Sequence, residues 1–223
     1  MKLTDNEIQG LADAIAAWCD FQVHCGRGTL LSERYLVQPI AEFLGSRFGS
    51  LPIHAEWSIG NQRLAAGRPR QLDFAVKSPR RKRPTMAIET KWVNNFDQRQ
   101  KRGAVMDIMR LVSFPWENGQ RLNYQPQRLF ILAGVPDAMK QARGSQINIG
   151  NGTRGPFLSA VLSRQLGQEE RIKISSLSER LIAMFNTFRT DYGLGLPVSY
   201  RAKLVGRRSL KTVQVMIWEV GRV

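Results

Sequence analysis

The sequence predicts an α/β protein in which a central mixed β-sheet carries helices on both faces. Three observations predict it. Helical and strand patterns alternate along the chain; an apolar run of strand length occupies residues 129–135; and a charged, proline-bounded loop joins two strand-like segments as a hairpin.

The elements follow in order. Thr4 and Glu7 have capping-box spacing, and Ile8, Leu11, Ala12, Ile15 and Cys19 recur at helical intervals behind them, so a first helix is expected. After the Gly26-Arg27-Gly28 break, residues 32–48 read as a second helix with Leu36, Ile40, Phe43 and Leu44 inward. Pro39 is expected to kink it or to set its start. Residues 54–59, 70–76 and 85–92 read as strands, the last two joined through the loop 78–84. A helix over 96–112 follows, burying Val105, Ile108, Met109 and Val112. Residues 128–134 then read as a buried central strand.

The last third is less regular. Pro156 suits a first helical turn, residues 171–174 suit a short strand, and Ser176 with Glu179 caps a helix to about residue 188. Strands 198–205 and 210–218 are expected to flank a Gly206-Arg207-Arg208 turn. Residues 190–197 have linker composition, but the tail beyond is too short to fold alone. One domain over 1–223 is therefore expected, with its core at about 30–135 and a C-terminal α+β elaboration at about 136–223.

Composition narrows the class. The chain has 223 residues, 43% hydrophobic and 23% charged, which excludes collagen, a coiled-coil rod and wholesale disorder. A chain of this length can bury roughly 70% of its unfolded surface. The seven-residue apolar run is far short of the ~20 needed to span a bilayer, and Asp5 and Glu7 stand where a secretory signal needs an apolar core. A cytoplasmic location is expected. Two cysteines make no disulfide framework, and Cys19, His24 and Cys25 find no further ligand at zinc spacing, so Cys19 is read as a core residue.

Charge points to the partner. With 33 Lys and Arg against 18 Asp and Glu, the net charge is +15, which draws polyanions. Residues 63–102 hold twelve of the cations and three of the acids, so +9 of the +15 is concentrated there. Nucleic acid is the expected partner, and no amphipathic helix with exposed aromatics argues for a membrane instead.

The hairpin carries the chemistry. Alternation along strand 70–76 sets Leu72, Phe74 and Val76 on one face and Gln71, Asp73 and Ala75 on the other. On the next strand Glu89 and Lys91 share a face. If the strands pair, two carboxylates and an ammonium converge. Phosphodiester hydrolysis needs such a set: carboxylates for a hard divalent cation such as Mg²⁺ or Mn²⁺, and a lysine to position water or neutralise charge.

At these residues the chain resembles the PD-(D/E)XK nuclease superfamily, whose restriction-endonuclease-like fold sets an acid on one strand and acid-x-lysine on the next. Asp73 matches the first acid, Glu89-Thr90-Lys91 matches the second element sixteen residues later, and Glu33 matches a glutamate that the family often carries on a preceding helix. Leu72 stands where the motif has proline. The resemblance covers about residues 30–135. It implies an Mg²⁺-dependent endonuclease acting on DNA, with Asp73, Glu89 and the Thr90 carbonyl as metal ligands, Lys91 beside the attacking water, and Glu33 as auxiliary ligand or base. It also places backbone-contacting residues on the following helix, at Gln98, Lys101 and Arg102. The basic stretch adds Arg68, Arg70, Arg81, Lys82 and Arg83 as further nucleic-acid contacts. A homodimer is compatible with cutting two strands.

Two other readings stay open. The same fold and charge suit a non-catalytic nucleic-acid-binding protein. Gly150-Asn151-Gly152-Thr153-Arg154-Gly155 fits GxGxxG, which would suit a dinucleotide-dependent enzyme, but no convincing strand and acid accompany it, so a surface loop is the simpler reading, with phosphate binding by Arg154 as an intermediate one. Trp92 and Phe96 suit base stacking, yet core packing is the commoner fate of such aromatics.

Overall fold

The computed structural model describes residues 2–49, 51–58, 71–77, 84–113, 126–144, 147–148, 154–155, 165–173, 182–183 and 199–222. Asp5–His24 forms α1 and Glu33–Phe48 forms α2, with a 3-10 turn at Gly28–Leu30 between them. The capping box is present: the Glu7 amide donates to Thr4 Oγ1 at 3.3 Å, and the Thr4 amide donates to Glu7 Oε2 at 2.7 Å. α2 continues through the Pro39 position instead of starting there. Proline forfeits one intrahelical bond, but it lies on the buried side of α2 with Leu36 and Ile40.

The strands are β1 Ile53–Ser58, β2 Gln71–Lys77, β3 Pro84–Val93, β4 Gln127–Gly134, β5 Ile147–Asn148, β6 Arg154–Gly155, β7 Glu169–Lys173, β8 Ser199–Ser209 and β9 Gln214–Arg222. Helices α3 Gln98–Ser113 and α4 Pro136–Gly144 lie on either side of β4 in the chain. Seven strands form one mixed sheet in the order β1-β2-β3-β4-β9-β8-β7, while β5 and β6 pair separately. Every described pairing is antiparallel except β3 with β4. A parallel pair needs a crossover, and α3 lies within that connection.

Two apolar layers hold the sheet. Leu129, Ile131 and Ala133 of β4 join Phe74, Val76, Ile88 and Ile217 against α1 and α2. Phe130 and Leu132 join Ala87, Val93, Met216 and Trp218 against α3 and α4. Every residue of β4 is buried, as expected of a strand covered on both faces. Among the described residues no helix is long and apolar enough to cross a membrane.

Several expectations shift. Alternation along β2 puts Leu72 on the face of Phe74 and Val76, but Leu72 packs into the other layer, at the end of β2 beyond its pairing with β3, which begins at Phe74↔Ile88. The predicted turn at Gly206–Arg208 lies inside β8, and the hairpin turns at 210–213, closed by the Leu210 amide on Val213 O at 2.8 Å. The reason is α1. A Cβ on Gly206 would sit 3.0 Å from Ile8 O, so this glycine serves close approach of α1 to a bulge in β8, not a turn. The α3 start moves to Gln98, where Asp97 Oδ1 accepts the Gln100 amide at 2.8 Å. Helix α4, with Pro136 in its first position and Asp137 in its first turn, was not anticipated. Strand 171–174 is observed at Glu169–Lys173. The helices expected after Pro156 and Ser176 fall largely outside the described residues, where only residues 182–183 are helical.

Candidate active site

Three parts of the fold meet at the C-terminal half of β3. β3 supplies Glu89 and Lys91, two residues apart and so on one face. Glu33 is the first residue of α2, and its Oε1 lies 2.8 Å from Lys91 Nζ. Asp73 comes from β2. Its Oδ2 accepts hydrogen bonds from the Thr90 amide at 2.6 Å and from Thr90 Oγ1 at 2.8 Å, in the stretch where β2 and β3 have ceased to pair. Thr90, expected as a carbonyl ligand, is thus observed anchoring Asp73 through its amide and hydroxyl. On β1, Glu56 falls between the pairs Ala55↔Phe74 and Trp57↔Leu72, opposite Asp73. Its φ of 53° is left-handed, a conformation that non-glycine residues rarely adopt. Backbone strain therefore lies across the sheet from the first candidate acid.

The sequence reading missed two members. Asp107 and Arg110 project from α3 into the same cluster. Asp107 Oδ2 is 2.9 Å from Lys91 Nζ, and Arg110 bonds Asp107 Oδ1, donates to the Gln71 carbonyl at 3.0 Å and sets its Nη1 3.3 Å from Glu89 Oε1. Gly103 completes the stripe: a Cβ there would stand 3.4 Å from Lys91 Nζ. Positions 103, 107 and 110 are i, i+4 and i+7, one face of a helix. That polar stripe beside the apolar positions 105, 108, 109 and 112 was the available signal.

Burial sets the electrostatics. Side-chain exposure is 1% at Glu89, 3% at Asp107, 14% at Lys91 and 48% at Glu33. Burial pushes Glu89 well above the usual carboxylate range; Arg110 opposes this, while Asp107 and Asp73 add to it. Asp73 is also raised, by burial first, with the Thr90 hydrogen bonds pulling it down. For Lys91 burial disfavours the ammonium, but Asp107 and Glu33 outweigh it, so the group titrates above an ordinary lysine. Lys91 is a fixed cation and hydrogen-bond donor at neutral pH, not a base.

Four carboxylates and two cations therefore share one site. Glu89 Oε1 and Asp107 Oδ2 are buried hard oxygens that face cations, Arg110 Nη1 at 3.3 Å and Lys91 Nζ at 2.9 Å, without hydrogen bonds of good geometry. Among the described residues no three His, Cys, Asp or Glu side chains are gathered as a metal-holding group. Asp73 and Glu89 are of the donor type that Mg²⁺ takes, one or two carboxylates acting with water and substrate phosphate.

The nucleic-acid candidates divide. Arg68, Arg70, Arg81, Lys82 and Arg83 lie outside the described residues. Gln98, Lys101 and Arg102 fall in the first turns of α3, just before Gly103, and Lys101 Nζ stands 6.0 Å from the centre of the Phe96 ring. Trp92 and Phe96 are both buried, so neither is presented for stacking. Of the glycine motif only Arg154 and Gly155 are described, as the short strand β6 paired with β5, not as a helix start. Comparison with protein-family models, with curated proteins and with solved structures returns no match.

Proposed function

We propose that the chain is a metal-dependent nuclease that hydrolyses phosphodiester bonds in DNA, on a restriction-endonuclease-like core of the PD-(D/E)XK kind. One observation carries the reading: Asp73, Glu89, Lys91 and Glu33, drawn from two strands and a helix, converge at the point where β2 separates from β3. Asp73 and Glu89 are the carboxylates that hold Mg²⁺ or Mn²⁺. Such a cation, when bound, acidifies a water and offsets charge on the phosphate oxygens. Lys91, kept protonated by Asp107 and Glu33, donates to the attacking water or to a phosphate oxygen. Glu33 holds that ammonium in place. The +15 net charge supplies the attraction for the phosphate backbone. A cytoplasmic protein, acting alone or as a homodimer, is consistent with this role.

A second reading has a specific observation in its favour. Arg110 already neutralises Glu89, and Lys91 already neutralises Asp107, which suits a nucleic-acid-binding protein that keeps the fold without the chemistry. Cleavage of supercoiled, linear and branched DNA with Mg²⁺, Mn²⁺ or EDTA separates the two. Metal-dependent nicking lost in Asp73→Ala, Glu89→Ala and Lys91→Ala, with folding and DNA affinity retained, is the expected result. Salt-sensitive binding with no turnover, unchanged by Glu89→Ala, would transfer the assignment to the binding reading.

A further inference from the structure

Arg110 holds an unusual position. It bonds a candidate catalytic carboxylate from α3, and it faces Glu89, Asp107 and Asp73 together. Two of its contacts are to side-chain oxygens and a third is to the Gln71 carbonyl, the first residue of the strand that carries Asp73. A guanidinium with donors on both of its terminal nitrogens thus spans β2, β3 and α3. Its distance to Glu89 Oε1 is 3.3 Å, longer than a charge-assisted hydrogen bond, and that oxygen has no other hydrogen-bond partner. Arg110 therefore neutralises Glu89 without saturating it.

We propose that Arg110 is a resident counter-ion of the candidate active site, which a divalent cation must displace from Glu89 before it can bind. The inference rests on the nuclease reading, because it takes Glu89 as a ligand. It follows from charge and space. An ammonium or guanidinium within hydrogen-bonding reach of a carboxylate raises the cost of bringing a second positive ion to the same oxygen, and this repulsion is weakly screened where water is excluded. Arg110 has somewhere to go. It keeps its bond to Asp107, one turn away on the same helix, and it is 21% exposed, so a rotamer change moves it from Glu89 without breaking the i,i+3 pair. In the absence of metal the same residue keeps a buried acid from facing Asp73 and Asp107 unopposed. Arg110 is on these grounds a positioning residue that sets metal affinity, and it is not assigned contact with the substrate.

The test is metal binding, read without DNA. Free Mn²⁺ is followed by electron paramagnetic resonance during titration of wild type, Arg110→Met and Arg110→Lys. Arg110→Met should bind Mn²⁺ at least about tenfold more tightly, a fraction of the full interaction between two unit charges near a protein surface. Arg110→Lys should stay near wild type. Equal or weaker binding by a folded Arg110→Met overturns the proposal, because it makes the arginine a support for the metal ligands. Should Arg110→Met not fold, the wild type alone decides: the Arg110 Nε–H resonance, identified by its loss in Arg110→Lys, must move on Mg²⁺ titration, and an unmoved resonance overturns the displacement. Failure of the nuclease reading looks different. Tight Mn²⁺ binding by Arg110→Met with no DNA cleavage by any form keeps the counter-ion and removes the nuclease, whereas no metal binding by either form removes both.

Discussion

Lys91 Nζ lies 2.8 Å from Glu33 Oε1, joining residues 58 positions apart in the chain and fastening the first turn of α2 to the sheet. The same nitrogen lies 2.9 Å from Asp107 Oδ2. One ammonium therefore unites an outer helix, the central sheet and the crossover helix.

Removing that ammonium leaves buried Asp107 with Arg110 on Oδ1 and nothing in place of Lys91 on Oδ2. Lys91→Met is expected to lower stability by about 2 kcal/mol, below the range for a fully buried pair because Lys91 keeps some solvent contact. Adding Asp107→Asn should return about half of the loss. Urea denaturation of the two single variants and the double variant measures the coupling, and a Lys91→Met as stable as wild type would show that the bridge contributes nothing.

Glu89 gives the stability a pH signature. Its carboxyl titrates well above the ordinary value because burial penalises the charged form. A raised carboxyl contributes stability at acid pH and loses it as pH rises through the raised value. Without metal, Glu89→Gln should therefore gain on wild type as pH goes from 5 to 8, by about 1 kcal/mol or more, the worth of one pKa unit. The gap between their melting temperatures should widen across that interval. A constant gap, or one that narrows, removes burial as the dominant influence.

Gly134 ends β4 against Val93, and a Cβ there would run into the Val93 carbonyl oxygen. That oxygen also accepts the Val135 amide at 3.1 Å, so it has little freedom to retreat. Gly134→Ala should cost about 2–3 kcal/mol, in the range of core overpacking. Gly45→Ala is the control, because nothing stands within 4 Å of its Cβ position and alanine favours the helix. Denaturation midpoints of the two variants should move in opposite directions.

The two thiols should react on different timescales. Cys19 is on the buried face of α1 and burial pushes its thiol up to about 12, while Cys25 is exposed. At pH 8 an aromatic disulfide reagent should titrate one thiol at once and the second only on unfolding. Two fast thiols would mean that α1 opens readily.

The fold was legible where one element's own pattern decided it. The apolar run of β4 announced a strand with both faces covered, and the Thr4–Glu7 box announced the start of α1. What escaped depended on partners far away in the chain. Gly206 has the look of a turn residue, and only Ile8 of α1 reveals it as a point of close approach. Leu72 has the alternation of Phe74 and Val76, and only its packing partners in the three-dimensional fold put it in the other layer. At the site, the spacing of Asp73, Glu89 and Lys91 was readable because it lies along two consecutive strands. Asp107 and Arg110 were passed over because a helix is read for its apolar face, and two polar residues beside that face resemble ordinary surface charge until a buried carboxylate is found opposite.

The parallel pairing of β3 with β4 has a consequence for the order of assembly. β3, α3 and β4 follow one another in the chain, so Glu89, Lys91, Asp107 and Arg110 come together within a single local crossover. Contacts of short sequence separation form ahead of distant ones. Glu33 arrives later, when the α1–α2 layer closes over the sheet, and it leaves first when that layer lifts. Amide hydrogen exchange should then register two opening events, a shallow one that uncovers α2 and Lys91 and a deep one that dissolves β3 and β4. The four-residue charge cluster would persist through the first as a preformed nest, waiting for its outer carboxylate to return.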